Sequence, residues 1–244
     1  MIYSIERCTR LSSTNDWLKA RAQSGAPEGT VIIAEEQTAG RGRLGRSWVS
    51  PKGGAWFSIL LKPPIPVEQA SCISILIAVS LAKALQEQWG IPVGVKWPND
   101  LYVRDKKLGG ILIELSSYAH KIEWLIAGIG INVNNEPPTE TRVPATSLSR
   151  EVGKAIALEE FFDVALTAIA RDYERFLSEG FEFVHQEWSK LSVLPPRIEV
   201  ESGTERFDAD VLGLSPSGKL IVRVGESIRE LISEEVTICQ LQPS

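Results

Sequence analysis

The sequence predicts an α+β fold in two parts, and three observations predict it. Over residues 1–192, β-rich apolar runs are interspersed with stretches of helical periodicity; from 196 to 244 only short alternating strands remain, after the linker-like Leu194-Pro195-Pro196. At 244 residues, 43% hydrophobic and 23% charged, the chain has the length and composition of a large folded domain followed by a small one.

The elements follow in order. A short strand over 2–6 leads to Ser12-Ser13-Thr14-Asn15, whose side-chain oxygens suit a helix N-cap before Trp17, Leu18 and Ala22. A plain cap explains these residues by themselves; the free N–H groups of a helix start also suit a polar ligand. Gly25, Pro27 and Gly29 end the helix. Residues 30–35 (TVIIAE) and 55–61 (AWFSILL) read as buried strands, and Pro63, Pro64 and Pro66 break the second. Residues 67–89 turn helical, with Ile73, Ile77, Leu81 and Leu85 spaced as a core-facing stripe. The apolar run 72–82 within them is too short to cross a bilayer and reads as buried helix, so no membrane association is expected.

A strand over 93–96 ends at Trp97-Pro98-Asn99-Asp100, 101–103 is extended, and Arg104-Asp105-Lys106-Lys107 reads as a charged hairpin turn. Residues 108–115 and 122–133 read as long strands containing Gly109, Gly110, Gly128 and Gly130. Glycines inside strands mark bulges or places where something approaches the backbone closely, so the two pairs predict the floor of a pocket. A polar loop over 134–144 precedes an amphipathic helix at 157–177 and a second at 181–190. The runs RIEVES, FDADVLGL, LIVRV, SIRELI and EVTICQL then predict a small β-barrel-like domain near the minimum size that folds alone.

Charge and cysteine usage exclude several classes. A net charge of −5 argues against a nucleic-acid partner, which usually demands a wide basic surface. Cys8, Cys72 and Cys239 are odd in number, far apart and without CxxC spacing, which disfavours a disulfide framework or a zinc site and fits a reducing compartment. With no basic head and apolar run at the N-terminus, a cytoplasmic location is expected.

Gly40-Arg41-Gly42-Arg43-Leu44-Gly45-Arg46 satisfies G-x-G-x-x-G and follows a strand. A dinucleotide site would need a helix to start there, and Pro51, Gly53 and Gly54 forbid one. No HRD or DFG element supports a kinase loop. What survives is physical: N–H groups opened by glycine, guanidinium forks that match phosphate, and the flat face of Trp48 for a base such as adenine. In Lys96-Trp97-Pro98-Asn99-Asp100 the ammonium could neutralise charge on a phosphate while Asn99 or Asp100 holds a metal or orients a ligand. Equally, the lysine could snorkel and the Asn-Asp pair could cap a turn. His120 and His185 fall in no motif.

Five segments in order, Ser13-Thr14-Asn15, EEQTAGRGRLGRSW (35–48), KWPNDL (96–101), KLGGILIE (107–114) and GIGINVN (128–134), closely resemble the biotin protein ligase family over essentially the whole chain. The resemblance implies a class II aminoacyl-tRNA-synthetase-like biotin/lipoate ligase domain, a mixed sheet flanked by helices, and a C-terminal SH3-like barrel. It also implies two steps: biotin and ATP give biotinyl-5′-adenylate with Mg²⁺ present, and a lysine of a biotin carboxyl carrier protein then takes the biotin.

By matched motif positions, Ser13, Thr14, Asn15, Gln37, Gly40, Arg41, Gly42, Arg43, Lys96 and Gly110 are expected at biotin. Arg41, Arg43, Trp48, Lys96, Asn99 and Asn132 are expected at ATP or the adenylate. Lys96, Arg41, Arg43 and Asp100 are expected in catalysis, with Asp100 as a base or a Mg²⁺ contact. Leu44 stands where many relatives carry a basic residue. The motifs begin so near Met1 that no N-terminal helix-turn-helix is expected, and the sheet edges suit a possible homodimer. A lipoate-type ligase of the same architecture is the alternative, against which the RGRxGR loop with KWPND argues; a non-catalytic biotin-adenylate binder is the third reading. The loop is expected to be open without ligand and ordered over the adenylate.

Overall fold

A computed structural model describes residues 1–139, 143–202, 204–232 and 236–241. Its larger sheet has seven strands: β1 (Ser4–Leu11), β2 (Thr30–Gln37), β3 (Ala55–Leu61), β4 (Val93–Lys96), β5 (Asp100–Val103), β6 (Lys106–Tyr118) and β7 (Lys121–Ile131). Their order is β1-β2-β3-β7-β6-β5-β4, with β1 parallel to β2 and every other pair antiparallel. The helices are α1 (Thr14–Gln23), α2 (Ala70–Trp89), α3 (Leu148–Val152), α4 (Leu158–Glu179) and α5 (Glu182–Leu191).

Alternation along the central strands sorts side chains onto two faces. Val31, Ile33, Phe57, Ile59 and Leu61 join α2 and α4 in the main core, through Ile73, Ile77, Leu81, Phe161 and Ile169 among others. Ile32, Leu60 and Ile126 face the other way and pack with Leu18 and Ala22 of α1 in a smaller cluster. On this α1 side the cross-strand rows run Trp56, Gly130, Gly110 and Ser58, Gly128, Leu112. Three glycines and a serine at the centre of a sheet leave a depression that larger side chains would fill.

The second sheet is antiparallel, built from β8 (Arg197–Ser202), β9 (Glu205–Leu214), β10 (Leu220–Val224), β11 (Ser227–Leu231) and β12 (Val236–Leu241). Its order, β11-β10-β9-β8-β12, is consistent with the SH3-like barrel expected there. It docks on the first turn of α2 and on the loop after β4: Trp97 Nε1 donates to Gly218 O at 3.0 Å and Ser71 Oγ to Ser217 O at 2.8 Å.

Several expectations need adjustment. β1 runs from Ser4 to Leu11, well past 2–6, because an exposed edge strand carries arginines and threonine and shows no apolar alternation. Only Arg104 and Asp105 lie between β5 and β6, so Lys106 and Lys107 already belong to the strand. The five-residue α3 has no counterpart among the expected elements. The helical stretch Val67–Trp89 is long and apolar enough to span a membrane by length and composition, correcting the reading from its 72–82 segment alone; 67% of its most apolar window is buried inside the fold, as a core helix requires. Residues 140–142 of the polar loop, the last residues 242–244 and the Cys239 side chain lie outside the described residues.

Candidate active site

The depression on the α1 face forms a small slot of about 40 Å³ lined by Ser13, Thr14, Asn15, Gln37, Trp48, Gly110, Leu112, Gly128, Ile129 and Gly130. Ser13 caps α1, its hydroxyl accepting from the Asp16 N–H at 3.5 Å, and this sets the first turn over the sheet. Thr14 donates to Gln37 Oε1 from its N–H at 2.8 Å and from its hydroxyl at 3.0 Å, and Gln37 Nε2 donates to Ser50 Oγ at 3.0 Å. Asn15, 4% exposed, is held from behind: Nδ2 donates to Glu114 Oε2 at 2.6 Å and Oδ1 accepts from Ser58 Oγ at 2.7 Å. A methyl group on Gly128 would overlap Asn15 Oδ1, and one on Gly130 would come within 2.7 Å of Trp48 Nε1. The glycines therefore let the polar groups settle onto the sheet, as the close-approach reading predicted.

On the far side of Trp48 lies a larger cavity of about 250 Å³. Its walls include Arg43, Arg46, Trp48, Lys96, Asp100, Lys107 and Asn132 from the first sheet and its loops, together with Ile238 of β12. Lys96 is 8% exposed; its Nζ donates to Ile238 O at 3.4 Å and lies 5.6 Å from the centre of the Tyr102 ring. Lys107 Nζ pairs with Asp100 at 2.7 Å and sits 5.2 Å from the Trp48 ring centre. Asn132, 3% exposed, accepts at Oδ1 from Asn135 Nδ2 at 2.9 Å. Trp48 Nε1 is buried without a hydrogen-bond partner, a donor held ready beside both spaces.

The glycine-arginine segment forms a tight hairpin. Gly42 N–H donates to Arg46 O at 2.7 Å, Trp48 N–H to Gly40 O at 2.8 Å, and Arg41 bridges Ser47. At its tip Leu44 is in the left-handed region at φ 56 and Gly45 at φ 70. Gly40 has no room for a methyl group against Trp48 O, whereas Gly42 meets nothing closer than 3.6 Å. Arg43 Nη1 donates to Asn99 Oδ1 at 3.2 Å, and Asn99 Nδ2 to Ile111 O at 2.6 Å, so Asn99 supports the hairpin. Arg41 points elsewhere: Nη1 donates to Asp16 Oδ2 at 2.6 Å and Nη2 reaches both Glu114 oxygens at 3.1 Å. The hydrogen bond from Arg41 holds the Asp16 carboxyl below its ordinary pKa, and the same bond raises that of the guanidinium.

The expected residues thus divide into a slot group, Ser13, Thr14, Asn15, Gln37 and Gly110, and a cavity group, Arg43, Lys96, Asp100 and Asn132, with Trp48 in both. Arg41, Gly40, Gly42 and Asn99 line neither. Sequence reasoning missed Ser58, Glu114 and Lys107. Ser58 is a lone hydroxyl inside an apolar strand, a visible signal; Glu114 and Lys107 end and begin KLGGILIE, yet only the fold shows what they touch. Among the described residues no group of three or more His, Cys, Asp or Glu side chains could hold a metal ion.

A polar slot floored by glycine adjoins a basic cavity across one indole, and two adjoining spaces of unlike chemistry are the arrangement of a small-molecule site. The sequence profile of the biotin/lipoate A/B protein ligase family matches residues 8–132, and the chain belongs to that family. It is 33% identical over 233 residues to the bifunctional ligase/repressor of Bacillus subtilis, covering 93% of this chain and 72% of that protein. It is 32% identical over 208 residues to the biotin–[acetyl-CoA-carboxylase] ligase of Paracoccus denitrificans, covering 82% of this chain and 86% of that one. Among solved structures, the biotin protein ligase from Aquifex aeolicus in complex with biotin and ATP superposes with a TM-score of 0.84 at 33% identity, covering 97% of this chain and 99% of that one.

Proposed function

We propose that this chain is an ATP-dependent biotin protein ligase. The observation that carries the reading is the shared border: the slot and the basic cavity meet at Trp48, so an acid in one and a nucleotide in the other occupy adjoining spaces from which their reacting ends can meet. Biotin, apolar apart from its ureido and carboxylate groups, suits the slot, where Thr14, Asn15 and Gln37 offer hydrogen-bond partners at its head. ATP suits the cavity, with adenine against Trp48 and Asn132 and the phosphates toward Arg43, Lys96 and Lys107.

In the first step a biotin carboxylate oxygen bonds to the α-phosphorus, the bond to the β-phosphate oxygen breaks, and pyrophosphate leaves. Lys96 and Lys107 stabilise negative charge on the phosphoryl oxygens; a fixed donor in such a place is worth roughly 10²–10³ in rate. In the second step the amine of a carrier-protein lysine bonds to the acyl carbon, loses its proton and expels AMP. Mg²⁺ would arrive on the phosphates, since magnesium is commonly held by one or two carboxylates plus substrate oxygens. Among the described residues Asp100 is the one carboxylate lining the cavity, and it fits that limited role, its charge already partly met by Lys107. The acceptor is the lysine of a biotin carboxyl carrier protein, consistent with the Paracoccus relative's name, and the reaction belongs in the cytoplasm, where ATP and the carrier occur together.

Incubation with ATP labelled at the α-phosphate, Mg²⁺, biotin and a carrier domain tests this. Label should appear in biotinyl-adenylate, and one carrier lysine should gain the mass of biotin. Adenylate formed with lipoate and not with biotin would transfer the assignment to a lipoate ligase, and formation with neither acid would sink both.

A further inference from the structure

We propose that Glu114 is a positioning residue that ties the arginine hairpin to the slot, and that Arg41 serves the biotin site through it and does not bind the nucleotide; the inference rests on the biotin-ligase reading above. Arg41 is engaged by two carboxylates, Asp16 of α1 at 2.6 Å and Glu114 of β6 at 3.1 Å. A guanidinium with one positive charge and two carboxylates around it has its charge and its fork already matched, so a phosphate could take it only by displacing one of them. Arg41 also lies outside the lining of the basic cavity, while Arg43 and Arg46 lie within it.

Glu114 reaches a slot residue as well as the hairpin. Its Oε2 accepts from Asn15 Nδ2 at 2.6 Å, while Ser58 donates to Asn15 Oδ1 at 2.7 Å. A side-chain amide has two N–H groups and two lone pairs. Glu114 and Ser58 take one of each, which determines where the amide oxygen and nitrogen sit and leaves the second N–H and the second lone pair for the slot that Asn15 lines. The same carboxylate therefore orients a slot residue and anchors the base of the hairpin. With Arg41 36% and Glu114 30% exposed, the ion pair alone is a modest contributor; its effect comes from being one link in a connected network.

The test uses the full chain carrying Arg41→Ala, Glu114→Ala, Glu114→Gln and the double Arg41→Ala/Glu114→Ala, with biotin affinity measured by calorimetry without nucleotide and ATP KM at saturating biotin. Arg41→Ala and Glu114→Ala should each weaken biotin binding about tenfold, with ATP KM within about twofold of wild type, and the double variant should be no worse than the weaker single, as coupled residues behave. Glu114→Gln, which keeps an acceptor for Asn15 and loses the charge facing Arg41, should fall between, and it carries the test if Glu114→Ala does not fold. A rise in ATP KM on Arg41→Ala with biotin affinity unchanged would assign Arg41 to the nucleotide and overturn the proposal, as would fully additive losses. Wild-type protein that bound no biotin would refute the ligase reading itself, and that measurement comes first.

Discussion

Of the glycines that line the slot, Gly128 has the least room: a methyl group there would overlap Asn15 Oδ1. The Asn15 amide is clamped between Glu114 and Ser58, so it has no freedom to retreat from a methyl group placed on Gly128. Gly128 is not among the positive-φ residues, so Gly128→Ala should cost packing in the slot and little backbone strain. Overpacking of this kind costs about 1–3 kcal/mol, so biotin affinity should fall roughly 10–100-fold with the far-UV spectrum and the ordering of the sheet unchanged. Gly42→Ala is the control, since a methyl group there meets nothing closer than 3.6 Å. Calorimetric titration with biotin reads both; a Gly128→Ala protein that bound biotin like wild type would show that Asn15 is not a wall of the acid site. The glycines were legible in the sequence because a pair of them inside a β-branched strand has no structural benefit of its own. Ser58 and Glu114 were not, because a hydroxyl or carboxylate on a strand becomes a clamp only when a helix 40 to 100 residues away in sequence, on the order of α1 here, folds down onto it.

The hairpin that carries Arg41, Arg43 and Arg46 contains a backbone outlier at its tip. Leu44 at φ 56 and ψ 35 is a branched residue in the left-handed region, a state that costs on the order of 1–3 kcal/mol and persists where surrounding contacts or function require it. Leu44 is also 55% exposed, so packing does little to offset that cost. On the biotin-ligase reading, a hairpin whose tip carries this cost is expected to tighten when a ligand adds contacts to Arg43 and Trp48. Trypsin should therefore cut after Arg41, Arg43 or Arg46 several-fold more slowly with biotin plus ATP than without, and the decisive comparison is the rate of appearance of the fragments by mass spectrometry. Equal rates would rule out closure over the adenylate. At the scale of elements the sequence was legible where burial is one-sided or complete. β3 matches its expected 55–61 limits because all seven residues are buried and six of them are apolar. β1 and α3 were not, since an edge strand with one neighbour and a short helical turn just after a polar loop satisfy their backbone bonds without an apolar signature.

Across the whole molecule the two ligand spaces differ in what they need. Every described residue lining the slot belongs to the first sheet, to α1 with its cap, or to the arginine hairpin and its end, whereas the basic cavity takes Ile238 from the second sheet, whose carbonyl also accepts from Lys96. The second sheet is seated at Gly218, whose carbonyl takes the Trp97 indole N–H and where an added Cβ would come within 3.1 Å of Ile75 Cδ1 and 3.3 Å of Cys72 N at the start of α2. Gly218 has φ +78, so any side chain there is both strained and crowded. Gly218→Val in the full chain should lift this sheet from α2, move Ile238 O away from Lys96 and loosen the Trp97 loop that leads into Asp100. Because the slot is lined by no described residue beyond Gly130, biotin affinity should stay within about twofold while ATP KM rises roughly tenfold, the fold-change that about 1.4 kcal/mol represents. Steady-state kinetics at saturating biotin and calorimetry with biotin alone separate the two quantities. Parallel loss of both would mean that the substitution unfolds the chain or that the slot depends on the second sheet, and an unchanged ATP KM would show that the barrel takes no part in holding the nucleotide.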